Sequence, residues 1–555
     1  MLRQFIFRYS AHLLLPIFLW GSAVGQVPEL NERTKAAIKS TTSESTSGVA
    51  ILVVRDGKTL IHAAGGMADI EKKIPITVET VFRIGSVTKQ FTAMAVLRLA
   101  EEGKLSLQDP LSKYFPDLPN AKKITLEHLL THTSGLCCLT SAPDFYSRVT
   151  TPTTPANVIE YFKTLEPDFE PGFKFKYGNT GYFLLGEIVA KVSGKSFAEY
   201  LATTFFQPLG MKNTGIYDNA HPPKNTAVGY MLVNSSYLPA LDWDMSWIGG
   251  AGAMYSTVTD LHQWNEALYG GKVISQRGLD IATKPYMPKN MEDFNYYGYG
   301  LTIGKHRRIP FIYHGGGLNG WSAELAYYPE QKCSVAILTN AMPSDHKLFP
   351  ELIARRLAER ALADVLASIP APQIDKSINP KIYPNYIGKY DYANAVMEIT
   401  VKDNRIIATI TDKEPVEIIP TGQDAFFCKE FDAEIIFRRN EKGEITAAVH
   451  YERGTNLVAP KIVESMVHSE KQLDEFVGSY QYGPTIMTCT RKGTQLYAQI
   501  TDQPKFPIFA VKPNTFAWRI IEAEVEFVKD AKGKYTIARH SQNGNQFDAP
   551  RIIGN

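Results

Sequence analysis

From Ile387 onward the chain repeats itself, without a gap, at an offset of 90 residues. Ile387-Gly388 recurs as Val477-Gly478, Tyr390 and Tyr392 as Tyr480 and Tyr482, and Thr411-Asp412 as Thr501-Asp502. The register still holds at Phe437 with Phe527, His450 with His540, and Ala459-Pro460 with Ala549-Pro550. A repeat of this kind means two copies of one structural unit. Each copy is a series of short runs split by turn residues, such as Val396 to Val401, Arg405 to Ile410 and Glu434 to Arg438, which predicts a small all-β sandwich or barrel. Neither copy contains a catalytic set. His450 and His540 read as cross-strand packing, because a duplication copies structural residues as readily as functional ones.

The repeats divide the chain. Expected are a β-barrel-like repeat at 385–463, a second at 472–555, a linker at 368–384 punctuated by Pro370, Pro372, Pro380 and Pro384, and a larger domain at 26–367. Residues 1–25 read as a secretory signal peptide: Arg3 and Arg8 lie in a basic start, Leu13 to Trp20 is an apolar run, and Ala23-Val24-Gly25 is a small-residue ending. The expectation is an exported chain, periplasmic or secreted, with no stable membrane span after processing. With 59 basic and 57 acidic residues the net charge of +2 gives no general attraction to nucleic acid. There are five cysteines, Cys137, Cys138, Cys333, Cys428 and Cys489, whose connectivity cannot be read from sequence. No Cys-x-x-Cys and no His-Glu-x-x-His occurs, so neither a metal site nor a cofactor is expected.

Within 26–367, Val49 to Val54 and Thr59 to Ala64 are two strands joined through Asp56-Gly57, a hairpin signal. Three later strands, around Phe311 to His314, Ser322 to Tyr328 and Cys333 to Asn340, look antiparallel and would extend that hairpin's sheet. Helical sequence lies between. Ser86 stands at the mouth of a helix running through Phe91, Met94, Ala95 and Leu99, with Lys89 one turn along. A hydroxyl with an amine one turn away can form an activated nucleophile. The chain holds a second such pair, Ser344 and Lys347, without a comparable helix behind it. Tyr177-Gly178-Asn179 opens another helix, and His314-Gly315-Gly316-Gly317 ends a strand. His128 and His132, four apart, invite a metal reading, but with no third ligand nearby they are read as structural histidines beside a turn. Gly249-Gly250-Ala251-Gly252 lacks dinucleotide spacing and reads as close backbone packing.

Order and context make these motifs a set, and the set resembles the penicillin-recognising serine hydrolases, in the branch of class C β-lactamases and D-alanyl-D-alanine carboxypeptidases that also holds esterases and D-aminopeptidases. The resemblance covers roughly residues 30 to 367 and extends to Leu129-Leu130-Thr131-His132-Thr133-Ser134-Gly135-Leu136, Pro171-Gly172 and Pro208-Leu209-Gly210-Met211. It implies an α/β (α+β) fold, a β-lactamase-like antiparallel sheet with a helical subdomain, ahead of two modules that look like lipocalin-like barrels. It further implies an acyl-enzyme on Ser86, with Lys89 or Tyr177 as base, and Asn179 orienting Lys89 or a substrate amide. An oxyanion hole would use the Ser86 N–H and that of Gly317 on an edge strand, and His314, Gly315, Gly316 and Gly317 would border the substrate.

Many relatives carry lysine where His314 stands. A histidine is mostly neutral at pH 7. The expected substrate is therefore a small molecule or peptide with an ester or D-aminoacyl amide bond, ahead of a β-lactam or D-Ala-D-Ala. A non-catalytic envelope ligand-binding protein is the alternative of another class. The C-terminal pair could shape the cleft, mediate an oligomer or bind a surface polymer, readings the sequence leaves equal.

Overall fold

Strand Val49–Arg55 is buried along six of its seven residues, which an alternating strand with one wet face could not be. Ala50, Leu52 and Val54 join one core cluster and Val49, Ile51 and Val53 another, so the sheet is covered on both faces. The computed structural model describes residues 27–552, apart from 143, 234–235, 287–295, 343–347, 371, 393–394, 412, 441, 453–454, 463–467, 483–484, 502–504, 519–522 and 543–544. The expected signal peptide and the Ser344–Lys347 pair lie outside the described residues. The chain forms two compact units that divide after Pro370.

The first unit is built on a seven-stranded sheet. In spatial order its strands are Tyr296–Tyr297, Thr302–His306, Ile309–Leu318, Trp321–Tyr328, Cys333–Thr339, Val49–Arg55 and Lys58–Gly65. All neighbours run antiparallel. Asp56 (φ 49°) and Gly57 (φ 72°) both take the left-handed conformation that a two-residue hairpin turn demands. Helices Val27–Thr41 and Pro350–Ala361 cover one face. The other face carries the helical subdomain, whose core includes Phe91 and Met94 of helix Thr88–Glu101 and Leu184 and Ile188 of helix Thr180–Ser193. Phe91 stacks on Trp264 at 3.9 Å between ring centroids.

One ion pair is sunk into this unit. Arg355 is 1% exposed and Glu324 2%. Arg355 Nη2 donates to Glu324 Oε1 at 2.9 Å, and its guanidinium lies 4.4 Å and 4.5 Å from the Phe311 and Tyr313 ring centroids. Burial pushes the Glu324 carboxyl up and Arg355 draws it back. Arg355→Met leaves that carboxyl buried without its partner and should cost about 3–5 kcal/mol in urea unfolding at pH 8. The loss should shrink at pH 5, where a protonated Glu324 carries no charge. Adding Glu324→Leu should recover most of it.

The second unit holds two all-β barrels. The first is a closed eight-stranded meander from Gly388–Asp391 to Thr455–Ile462; the second is an eight-stranded sheet from Gly478–Tyr482 to Asn545–Pro550, with a bridge between Tyr480 and Arg551. The pairing between the copies reaches further back than Ile387, and in the first copy past the expected boundary at 385. Tyr383 and Tyr386, on the turn Pro380–Tyr386, enter the first barrel's core, as Leu473 and Phe476 enter the second. Tyr390 donates to the Tyr386 carbonyl at 2.7 Å and Tyr480 to that of Phe476 at 3.0 Å, the same bond 90 residues apart. The end of the expected linker thus belongs to a barrel core.

Candidate active site

Ser86 lies in a short turn, Gly85–Val87, that winds directly into helix Thr88–Glu101. That turn is pressed against the glycine strand. Gly85 has φ 52°, and a Cβ added to it would lie 2.8 Å from the Gly317 nitrogen. A Cβ on Gly316 would lie 1.9 Å from the Ile84 carbonyl oxygen. Two backbones can approach so closely only where side chains are missing.

Lys89 is fully buried, and its Nζ lies 3.1 Å from Ser86 Oγ. It donates to Asn179 Oδ1 and to the Ala251 carbonyl, both at 2.8 Å. Burial pulls its pKa down to about 7. In the neutral amine two N–H bonds are spent on Asn179 and Ala251, which leaves the lone pair available to the serine hydroxyl. Tyr177 sits on the other side of the pair, its ring centroid 4.8 Å from Lys89 Nζ, and is hydrogen-bonded to the Ser86 side chain. Burial raises its pKa, so the phenol stays neutral.

Asn179 precedes helix Thr180–Ser193, where an asparagine side chain usually caps the first turn. Here it makes no cap bond. Its Oδ1 accepts a hydrogen bond from Lys89 Nζ and its Nδ2 donates to Thr140 Oγ1 at 3.0 Å, so a local helix rule is given up for the site.

His314 is 4% exposed, and both ring nitrogens are engaged. Nδ1 lies 2.6 Å from the Gly315 carbonyl, which can only accept, so Nδ1 carries the proton; Nε2 then accepts from the Tyr297 hydroxyl at 2.9 Å. Burial, and after it Lys89, pushes the His314 pKa down to about 3. The strand carrying it is internal to the sheet rather than an edge strand, which corrects the expectation for Gly317. Its pairing with Thr302–His306 ends at Tyr313, so 314–318 runs past its neighbour and pairs with no described strand on that side. Gly315 and Gly317 are exposed along it and His314 and Gly316 buried.

The structure thus brings together Ser86, Lys89, Tyr177, Asn179 and the 314–317 strand. Sequence reasoning missed three further contributors. Tyr297 was not singled out, although Tyr296-Tyr297-Gly298-Tyr299-Gly300 is an aromatic and glycine run that no other reading had used. The Ala251 carbonyl is delivered by the glycine-rich run read as close packing. It is that too, since a Cβ on Gly250 would meet the Tyr182 carbonyl oxygen at 2.7 Å. His132, set aside as structural, lies against the Tyr177 ring at 4.4 Å between centroids. Among the described residues no cluster of three or more His, Cys, Asp or Glu side chains is placed to hold a metal ion, and Cys138, Cys333, Cys428 and Cys489 are free thiols.

A buried amine beside a serine hydroxyl, on a sheet flanked by helices, defines a serine hydrolase of the β-lactamase fold. Residues 31–359, more than half of the chain, match the Beta-lactamase family, and the chain belongs to that family. Penicillin-binding protein 4* of Bacillus subtilis (strain 168) is 27% identical over 420 residues, which span 70% of this chain and 90% of that one. Two other curated relatives are matched over only 62% and 59% of their own lengths. Among solved structures, D-amino acid amidase from Ochrobactrum anthropi SV3 complexed with D-phenylalanine superposes with a TM-score of 0.54 at 25% identity, covering 61% of this chain and all of that one. The octameric penicillin-binding protein homologue from Pyrococcus abyssi superposes with a TM-score of 0.52 at 25% identity, covering 78% of this chain and all of that one.

Proposed function

We propose that the protein hydrolyses an ester or amide through an acyl-enzyme on Ser86, with D-aminoacyl amides and esters as its substrate class. The observation that carries the reading is the Lys89 amine, 3.1 Å from Ser86 Oγ, with its other hydrogen bonds directed away from the serine. In acylation Lys89 accepts the Ser86 proton as Oγ bonds to the carbonyl carbon. The oxyanion is held by the backbone N–H groups of Ser86 and Gly317. Collapse breaks the bond to the leaving group, which takes a proton from Lys89 directly or through the Tyr177 hydroxyl. Water then cleaves the acyl-enzyme by the same route, and Ser86 recovers its proton. The neutral phenol makes Lys89 the better base of the two, with Tyr177 as a hydrogen-bond donor and relay.

The substrate class rests on His314 and on the D-amino acid amidase among the similar structures. With both nitrogens occupied and its pKa pushed down to about 3, His314 offers no cation to a substrate carboxylate. That disfavours D-Ala-D-Ala and β-lactams, which carry a carboxylate, and favours esters and amides, the amides in keeping with the similarity to a D-amino acid amidase. Export belongs to the same proposal and rests on the basic and apolar start of the chain alone.

The test is to treat the full-length protein with a fluorophosphonate probe, locate the adduct by peptide mapping, and assay D- and L-aminoacyl amides, a chromogenic ester and a cephalosporin. The adduct should fall on Ser86, with D-aminoacyl amides and the ester turned over faster than the cephalosporin. An adduct on another residue with turnover intact removes Ser86 from the reaction; preference for the cephalosporin overturns the substrate class.

A further inference from the structure

His132 stands just beyond the short helix Leu126–Leu130 in the left-handed backbone region, at φ 58°, a conformation uncommon for residues other than glycine, though histidine, asparagine and aspartate tolerate it better than most. What that conformation achieves is visible in its bonds. The His132 carbonyl accepts from the Lys176 N–H at 2.9 Å, and its Nδ1 accepts from the Gly178 N–H at 3.3 Å. Lys176 and Gly178 are the two neighbours of Tyr177. One residue therefore holds the chain on both sides of the tyrosine, through its backbone and through its ring, while the ring itself lies 4.4 Å from the Tyr177 ring centroid.

The rest of the environment keeps the imidazole in the state this needs. Tyr182 and Tyr297 pack on it at 5.1 Å and 4.7 Å between centroids, and Phe175 closes the cage at 5.8 Å. A ring nitrogen that accepts a backbone N–H bears no proton, so the proton sits on Nε2. Burial, with Lys89 and His314 adding to it, holds the His132 pKa well below the ordinary value, so Nδ1 stays an acceptor at any pH where Lys89 is neutral.

We propose that His132 is a positioning residue for the hydrolysis at Ser86, acting by clamping Tyr177 between the bonds to Lys176 and Gly178. The proposal rests on the functional reading given above. It goes beyond it in assigning a role to a residue that touches neither Ser86 nor the substrate. Only the Nδ1 position and the tolerance of positive φ are required, and both belong to asparagine as well. Its carbonyl oxygen falls close to where Nδ1 lies, and it adopts the left-handed region more readily than most residues.

The experiment compares His132→Asn, His132→Gln and His132→Ala in the full-length protein, with Ser86→Ala in the same assay. His132→Ala should lower kcat by about 10²-fold with KM within about threefold, the cost typical of a reacting group displaced by about 1 Å. His132→Asn should recover to within about tenfold of native, whereas His132→Gln, whose carbonyl reaches past the Gly178 N–H, should not. Equal losses for Asn and Gln, a native-like kcat for Ala, or a loss lying wholly in KM would each overturn the clamp. Should Ala fail to fold, the Asn and Gln pair alone decides. Turnover that survives in Ser86→Ala refutes the functional reading instead, and a dead Ser86→Ala beside a native-like His132→Ala refutes only His132.

Discussion

Ser86→Ala and Lys89→Met should each lower kcat by about 10⁴-fold or more, and the double variant should be no slower than the worse of the two. In the proposed mechanism the two groups act as one unit. Without the amine the hydroxyl keeps its proton, and without the hydroxyl the amine has nothing to activate. Lys89→Arg should fail as completely as Lys89→Met, because a guanidinium cannot shed its proton at working pH and its planar fork does not suit the short bonds to Asn179 and Ala251. Asn179→Ala, which frees one amine proton and leaves Thr140 without its donor, should fall between the extremes, at about 10²-fold.

The pH profile carries the same argument with a definite sign. Below a pKa of about 7 Lys89 is an ammonium and cannot take a proton, so kcat/KM should fall about tenfold for each pH unit beneath that value and level off above it. His314 should contribute no limb between pH 5 and 8, because burial keeps it neutral throughout. A profile that instead falls with rising pH near 7 would mean that the protonated amine is the working form. Stopped-flow turnover of one D-aminoacyl ester across pH 5–9 reads the slope directly.

The fold was legible where its signals are local or periodic. The hairpin at Asp56-Gly57 needs positive φ twice, and residues that tolerate it stand there. The unbroken apolar run Val49 to Val54 anticipates a covered strand, although one run cannot say that both faces are covered. The repeat revealed two barrels through paired positions such as Phe437 and Phe527, yet it missed Tyr383 with Leu473 and Tyr386 with Phe476. Different aromatic and aliphatic side chains fill the same volume there, so identity is lost while packing is kept.

The candidate site divides along the same line. Ser86 with Lys89 and Tyr177 with Asn179 were visible because each pair is a short local motif at an element junction and the motifs follow one another in a recognisable order. Ala251, Tyr297 and His132 come from segments far apart in the chain, and what they present is a carbonyl, a hydroxyl in an aromatic-rich run, and a histidine that sequence alone reads as structural, beside a turn. What joins them is the sheet and the Gly186–Gly250 backbone contact, 3.1 Å for an added Cβ; the glycine run signalled close packing there but not its partner.

The second large effect should come from Gly316→Ala, at about 10²-fold or more in kcat, with KM little changed. Three glycines on a strand beside a nucleophile suggest room for substrate, and if that were their whole purpose, exposed Gly317 would be the sensitive position and the loss would fall in KM. The distances argue otherwise. An added Cβ on Gly317 meets only the sulfur and methyl of Met342, at 2.8 Å and 2.9 Å, the movable end of a flexible side chain. On Gly316 it meets the Ile84 carbonyl oxygen at 1.9 Å, which is backbone and lies two residues before Ser86. To accept a methyl group there, the Ser86 turn and the strand must separate by about 1 Å or more, taking the Ser86 and Gly317 N–H groups apart together. Gly316→Ala should therefore abolish rapid acylation while the protein still binds a competitive boronate weakly, and Gly317→Ala should stay within about tenfold of native. Single-turnover acylation rates for the two variants decide which purpose the glycines serve, because separation of the turn slows the bond-forming step whereas crowding of the cleft weakens only the binding that precedes it.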